Sequence, residues 1–265
     1  MLPAILQRVL HDWSKALFPS KCLACGRLFD DGLGSESTDG LDRGAAFAFG
    51  KAMAGFFCPG CRERWRAATS PMCTRCGLIF KSRAGEDHLC GRCLDRPGRF
   101  ARARAAGIYD GSLRTAIHAL KFKGKSELAR PLGEMLFTVF RHYWSAGAID
   151  IIAPVPLHRH RFRQRGFNQA YLLMRSWQLS DDSQVDRRLL SRIRDTRSQT
   201  GLDRRQRHRN LKDAFIVNRP DRIVGKTVLL VDDVLTTGAT VDACAAALMC
   251  EGAERVDVLT LARAL

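Results

Sequence analysis

Val228–Thr240 reads VLLVDDVLTTGAT. Val228, Leu229, Leu230 and Val231 make an apolar run without alternation, as in a strand buried on both faces. Two carboxylates, Asp232 and Asp233, end that run. A small-residue loop, Thr236-Thr237-Gly238-Ala239-Thr240, follows Val234 and Leu235. It opens Val241–Glu251, rich in Ala and Leu, which reads as a helix with Gly252 as its stop. Gly225-Lys226-Thr227 is a turn signal ahead of the strand. The segment thus sets an acidic pair at the carboxyl end of a strand and a loop at a helix N-terminus.

A helix start presents unpaired N–H donors and the positive end of its dipole, which together bind anions. Ligands of open α/β sheets sit outside the carboxyl ends of the strands. Gly238 and Ala239 keep side chains out of the way of an approaching phosphate. Thr236, Thr237 and Thr240 add hydroxyls, and Thr240 is expected to cap the helix. A ribose carrying a 5-phosphate suits the arrangement, its hydroxyls on the carboxylates and its phosphate on the loop. The plainer alternative is a strand-turn-helix with two solvated aspartates.

Outward from this stretch, strands and helices alternate. Strands are expected at Ala105–Tyr109, Ile149–Val155, Val185–Ile193, Thr227–Val231 and Val256–Leu261. Helices are expected at Leu113–Leu120, Leu128–Trp144 and Gly166–Leu179. Such alternation specifies a parallel α/β sheet. After Ile149–Val155 comes PLHRHRFRQRGFNQA (156–170). Its cations gather at a strand's carboxyl end before a helix, where a pyrophosphate would be clamped. A plain basic loop is the competing reading. Arg192–Asn210 holds seven arginines, Arg192, Arg194, Arg197, Arg204, Arg205, Arg207 and Arg209, and few large apolar residues. It reads as a segment that is mobile when empty and closes over reacting phosphates, or as a nucleic-acid-binding loop.

Eight of the ten cysteines form four Cys-x-x-Cys pairs: Cys22/Cys25, Cys58/Cys61, Cys73/Cys76 and Cys90/Cys93. Each pair places two thiolates on one side of a tight turn, and two pairs complete a tetrahedron, so two structural Zn2+ ions are expected. Sequential pairing joins Cys22, Cys25, Cys58 and Cys61, then Cys73, Cys76, Cys90 and Cys93; interleaved pairing is the alternative. Repetition argues against a redox role. Asp30–Lys51 reads as an irregular insertion, and Cys244 and Cys250 as small apolar helix residues.

The chain has 265 residues and a formal net charge of +16. That balance implies affinity for polyanions or phosphorylated small molecules and says nothing about fold. Leu2, Ile5, Leu6, Val9, Leu10, Trp13 and Leu17 repeat at helical spacing, so residues 1–20 read as an amphipathic helix rather than a signal peptide. No apolar run is long enough to span a bilayer. A cytoplasmic protein is expected, with docking at the inner face of the membrane left open. The expected organisation is this helix, a cysteine module over 21–96 and an α/β domain over 97–265.

Taken together, the paired CxxC knuckles, PVPLHRHRFRQRGFNQA (154–170), TRSQTGLDRRQRHRN (196–210) and VLLVDDVLTTGAT resemble the ComF family of bacterial competence proteins. The resemblance covers nearly the whole sequence. It implies a double zinc ribbon before a type I phosphoribosyltransferase domain. It implies that Asp232 and Asp233, the catalytic pair, hold the 2- and 3-hydroxyls of phosphoribosyl pyrophosphate, while Leu235 and Thr236–Thr240 cradle the 5-phosphate. His158, Arg159, Arg161, Arg165, Gly166, Asn168 and Gln169 would line the pyrophosphate loop. Arg197, Gln199, Arg204, Arg205, Arg207 and Asn210 would belong to the flexible loop. Mg2+ would ride mainly on pyrophosphate and sugar oxygens. Single-stranded DNA and proteins of DNA uptake are the implied partners. Tyr109, Phe122, Phe162 and Phe167 lie near cations in the sequence as candidates to stack bases, with core packing the default for each. Transfer of the phosphoribosyl group to a nitrogenous base or amine is the alternative activity. No hood over an acceptor base is legible in the chain. The long spacer between the first two CxxC pairs departs from the family pattern.

Overall fold

The computed structural model describes residues 20–29, 49–82, 84–179, 183–194 and 213–265. The expected amphipathic helix up to residue 19 lies outside the described residues. So do positions 30–48 of the insertion and the loop residues Arg197, Gln199, Arg204, Arg205, Arg207 and Asn210.

The cysteine-bearing part begins with a short antiparallel pair, β1 (Ser20–Lys21) and β2 (Leu28–Phe29). Single-turn helices α1 (Pro59–Arg62) and α2 (Gly91–Asp95) each start at the first cysteine of a knuckle, Cys58 and Cys90. Next come β3 (Arg102–Ile108), α3 (Gly111–Phe122) and α4 (Ala129–Tyr143). Then follow β4 (Ile151–Pro154), α5 (Arg159–Arg165), α6 (Gln169–Met174) and the short strands β5 (Gln184–Val185), β6 (Leu190–Arg192) and β7 (Phe215–Val217). β8 (Thr227–Leu235), α7 (Ala239–Cys250) and β9 (Arg255–Arg263) complete the described elements.

β3, β9, β8, β4 and β5 form one five-stranded sheet in that order, all parallel. β8 lies at its centre. Its side chains alternate between two cores, as a strand's period of two requires. Leu229 and Val231 face α3 and α4, packing with Leu113, Ile117, Leu132 and Leu136. Val228 and Leu230 face α7, packing with Val241, Cys244, Ala245 and Leu248. Two helical layers therefore explain the unbroken apolar run.

Several elements differ from the sequence reading. Val185–Ile193 is two strands, not one: β5 joins the main sheet and β6 pairs antiparallel with β7. Asp186 breaks it, its Oδ1 accepting from the amide of Arg188 at 2.9 Å in an Asx turn. The helix expected at Gly166–Leu179 is only α6, and a helix outside every expected one, α5, precedes it and ends at Gly166, whose φ is +78°. β7 lies outside every expected strand. Residues 49–52 are helical rather than irregular, with Phe49 and Met53 fully buried.

Candidate functional site

β8 runs past Val231 to Leu235, so the acidic pair lies within the strand's last turn of pleat. Asp233 is 3% exposed, whereas Asp232 still opens partly onto a cleft of about 770 Å³. Asp232 Oδ1 accepts from the Asp233 amide at 2.8 Å, which fixes the first carboxylate. Lys121, at the end of α3, brings Nζ to 2.5 Å from Asp233 Oδ2. The two form a buried ion pair at the floor of the cleft. Burial pushes Asp232 up to about 6, against the pull of Lys121, Arg192 and Arg165. Burial likewise depresses Lys121 to about 8, with Asp232 opposing and Arg165 and Arg161 assisting.

The loop after β8 begins α7 at Gly238, not at Thr240. Gly238 is the N-cap with φ +80°, a left-handed conformation that glycine adopts without steric cost. Thr240 stands one residue inside the helix, with its side chain at the cleft. Thr237 Oγ1 accepts from the Ala239 amide at 3.4 Å. The amides of Thr236, Thr237 and Gly238 find no acceptor among the described residues. Their partner carbonyls do. Arg263 Nη1 donates to Leu235 O at 2.9 Å and Thr236 O at 2.6 Å, and Arg92 Nη2 donates to Thr237 O. In a planar trans peptide the N–H points opposite to the C=O. Three donors therefore face away from the arginines, beside Thr236 and Thr240 on the cleft wall.

The other wall comes from α3 and from the segment after β4. Tyr109, Lys121, Phe122, Arg161, Arg165 and Gln169 line the cleft. Arg165 Nη1 donates to Gln169 Oε1 at 2.9 Å, and its guanidinium lies 4.9 Å from the Phe122 ring centre. His158 caps α5, its Nδ1 accepting from the His160 amide. Asn168 caps α6 and donates from Nδ2 to Val155 O at 3.1 Å, which ties the segment to β4. Arg159, Gly166 and Asn168 line a second groove of about 760 Å³ on the far side of α5. Leu235 and Ala239 are buried beneath the loop.

The cysteines group sequentially: Cys22, Cys25, Cys58 and Cys61 in one tetrad, Cys73, Cys76, Cys90 and Cys93 in the other. Within each, the Sγ atoms all lie within 4.8 Å of one another. Cys25 and Cys58 Sγ are 3.7 Å apart, Cys76 and Cys90 Sγ 3.8 Å. A zinc tetrahedron with bonds of about 2.3 Å has edges of about 3.8 Å, so both tetrads could hold structural zinc. The amides of Cys76 and Cys90 each donate to Cys73 Sγ at 3.4 Å, as a thiolate requires. His88 is no part of either tetrad: it stacks on Phe80 at 4.1 Å and its Nδ1 contacts Glu86 O. Gly77 holds φ +62° where a Cβ would meet Ala103 O at 2.8 Å, so the third knuckle abuts β3 directly.

Lys121 is the site residue absent from the sequence reading. Leu113, Ile117 and Lys121 recur at four-residue spacing, so a lysine on the core face of α3 was the available signal. The four aromatic candidates divide. Phe122 and Phe162 are exposed, whereas Tyr109 and Phe167 pack against the core.

A central strand ending in an acidic pair, a phosphate-type loop and a parallel sheet define an α/β domain of the phosphoribosyltransferase type, here joined to a double zinc-ribbon module. Residues 188–265 match the phosphoribosyl transferase domain family. The chain is 38% identical over 198 residues to the DNA utilization protein YhgH of Escherichia coli K12, covering 73% of this chain and 85% of that protein. It is 31% identical over 211 residues to competence protein F of Haemophilus influenzae, covering 78% and 90%. Competence protein ComFC of Bacillus subtilis is 25% identical over 209 residues, covering 78% and 83%. The chain belongs to the ComF family. No described helix is long and apolar enough to cross a membrane.

Proposed function

We propose that the cleft binds a 5-phosphoribosyl group, as phosphoribosyl pyrophosphate with Mg2+ or as ribose 5-phosphate. One observation carries the reading: three loop amides with no acceptor among the described residues stand at a helix start, beside the carboxylates of Asp232 and Asp233. Asp232 and Asp233 take the ribose hydroxyls, Thr236–Thr240 the phosphate, and Lys121, Arg161, Arg165 and Gln169 the pyrophosphate. Arg197, Gln199, Arg204, Arg205, Arg207 and Asn210, which lie outside the described residues, are assigned to the flexible loop of the family pattern. Mg2+ would arrive on the ligand's own oxygens, since it prefers to keep substrate phosphates and water as its ligands. The proposed organisation is a double zinc-ribbon module over 21–96 and an α/β domain over 97–265, joined where the Ala68 amide donates to Ala106 O and the Ile108 amide to Arg66 O. Transfer to a nitrogenous acceptor, with pyrophosphate leaving against Lys121 and the arginines, is the chemistry such a site would perform.

The relatives' names place their work in DNA utilisation and competence, and the same setting is proposed here. The second groove favours a single-stranded DNA partner. Phe162 and Tyr171 lie there among Arg159, Arg187 and Arg188, with the Arg187 guanidinium 5.7 Å from the Tyr171 ring centre. Phe162 is exposed and Tyr171 half-buried, and rings beside arginines stack bases while the cations track the backbone.

Calorimetric titration with phosphoribosyl pyrophosphate and Mg2+ tests the first reading. The native protein binds, and Asp232→Asn with Asp233→Asn weakens binding at least about 100-fold, from loss of charge-assisted hydrogen bonds. Equal affinity would remove it. For DNA, Phe162→Ala with Arg188→Ala should weaken oligonucleotide binding about fivefold or more, leaving the phosphoribosyl pyrophosphate titration unchanged. DNA binding that ignores both changes would move the strand elsewhere.

A further inference from the structure

The phosphate loop is fastened from behind, and its fastenings lead to the second cysteine tetrad. Arg263 closes β9 and is 4% exposed. It grips Leu235 O and Thr236 O with Nη1 and donates from Nε to Cys76 O at 3.2 Å. Cys76 is the second ligand of the third knuckle. Arg92 sits between Cys90 and Cys93 in α2 and donates to Thr237 O. A Cβ on Gly238 would stand 3.4 Å from Arg92 Nη2, so the guanidinium lies directly behind the loop. Just beyond α2, the Arg99 amide donates to Asp242 Oδ1 in the first turn of α7 at 2.5 Å. All three contacts join the third and fourth knuckles, or the chain leaving them, to the phosphate loop and its helix.

The first tetrad is wired differently. Cys61 O accepts from Ser112 Oγ in α3, and Cys22, Cys58 and Cys61 pack into the core on the α3–α4 side of the sheet. Among the described residues, the arginines that hold the loop carbonyls make no hydrogen bond to this tetrad.

We propose that Arg92 and Arg263 are positioning residues that link the second tetrad to the phosphate loop, so that the loop's amides hold a phosphoribosyl phosphate firmly only while Cys73, Cys76, Cys90 and Cys93 are closed on their metal. The proposal rests on the phosphoribosyl reading for its ligand. Opening the tetrad releases Cys76 O and Arg92 together, and the carbonyls that orient the loop lose their anchors. Linkage makes the effect mutual: ligand on the loop must also hold the tetrad closed.

The test follows amide hydrogen exchange of the peptide spanning residues 235–241 in the full zinc-loaded chain, then ribose 5-phosphate affinity. Arg92→Ala keeps every cysteine and is expected to speed loop exchange at least about fivefold and weaken ribose 5-phosphate about tenfold. Arg92→Lys should recover part of both. Cys93→Ser should match or exceed Arg92→Ala in the loop while leaving exchange in α4 unchanged. Ribose 5-phosphate should slow the release of one of the two zinc ions to a chromogenic chelator. Loop exchange in Arg92→Ala equal to that of the native chain overturns the proposal, whether or not Cys93→Ser folds. A native chain that fails to bind ribose 5-phosphate removes the ligand reading instead, and the exchange result still decides the link.

Discussion

The two anion-facing walls of the cleft are built on opposite plans. Residues 235–240 offer backbone amides, small side chains and one left-handed glycine, with three successive carbonyls held by arginines behind. Residues 158–170 offer side chains: guanidiniums on a short helix, secured by caps and one bond to β4. A backbone seat has fixed donors and suits a group that must always sit in one place. A side-chain wall has rotamer freedom and suits a group that leaves. In the phosphoribosyl transfer proposed above, the 5-phosphate would stay and the pyrophosphate would depart, and the two plans would match those two fates.

That contrast can be broken by substitution. Gly238→Val puts a β-branched residue at φ +80° and against Arg92, a strain of about 2 kcal/mol. It should weaken ribose 5-phosphate and phosphoribosyl pyrophosphate alike, about 30-fold in calorimetry. Arg161→Ala with Arg165→Ala should weaken the pyrophosphate ligand about tenfold and ribose 5-phosphate less than about twofold. Equal losses for both ligands would mean that the walls share one task.

The smallest effect is that of pH. Asp232 is raised to about 6 by burial. Sugar hydroxyls donate to its ionised form, so ligand lowers its pKa and protonation competes with ligand. Affinity should therefore fall as pH drops through 6, by about fourfold between pH 7.5 and 5.5 for this one group. A carboxyl NMR titration separates Asp232 from the phosphate's own ionisation: its midpoint should fall when ribose 5-phosphate is bound. A midpoint near the usual carboxylate range in the free protein would contradict the assignment.

Features carried by adjacent residues were legible in the sequence. The apolar run before Asp232 and Asp233 could only be a strand buried twice, and the CxxC spacing carried its own geometry. Features set by distant partners were not. Lys121 reaches Asp233 from α3, and Arg263 reaches the loop from the far end of β9. Val185–Ile193 has the composition of one strand, yet Asp186 turns it and sends its halves to different sheets. Gly166 could start a helix or stop one; its positive φ, invisible in the sequence, makes it a stop. β7 is three residues long, with Ile216 exposed, and is set by its pairing with β6 rather than by an apolar pattern.

The most direct test is a crystal structure of the zinc-loaded chain grown with ribose 5-phosphate. Both ring hydroxyls should lie on Asp232 and Asp233, and the phosphate on the amides of Thr236, Thr237 and Gly238. Phosphate density among Arg161 and Arg165 instead, with Lys121 still against Asp233 and the loop amides bare, would contradict it.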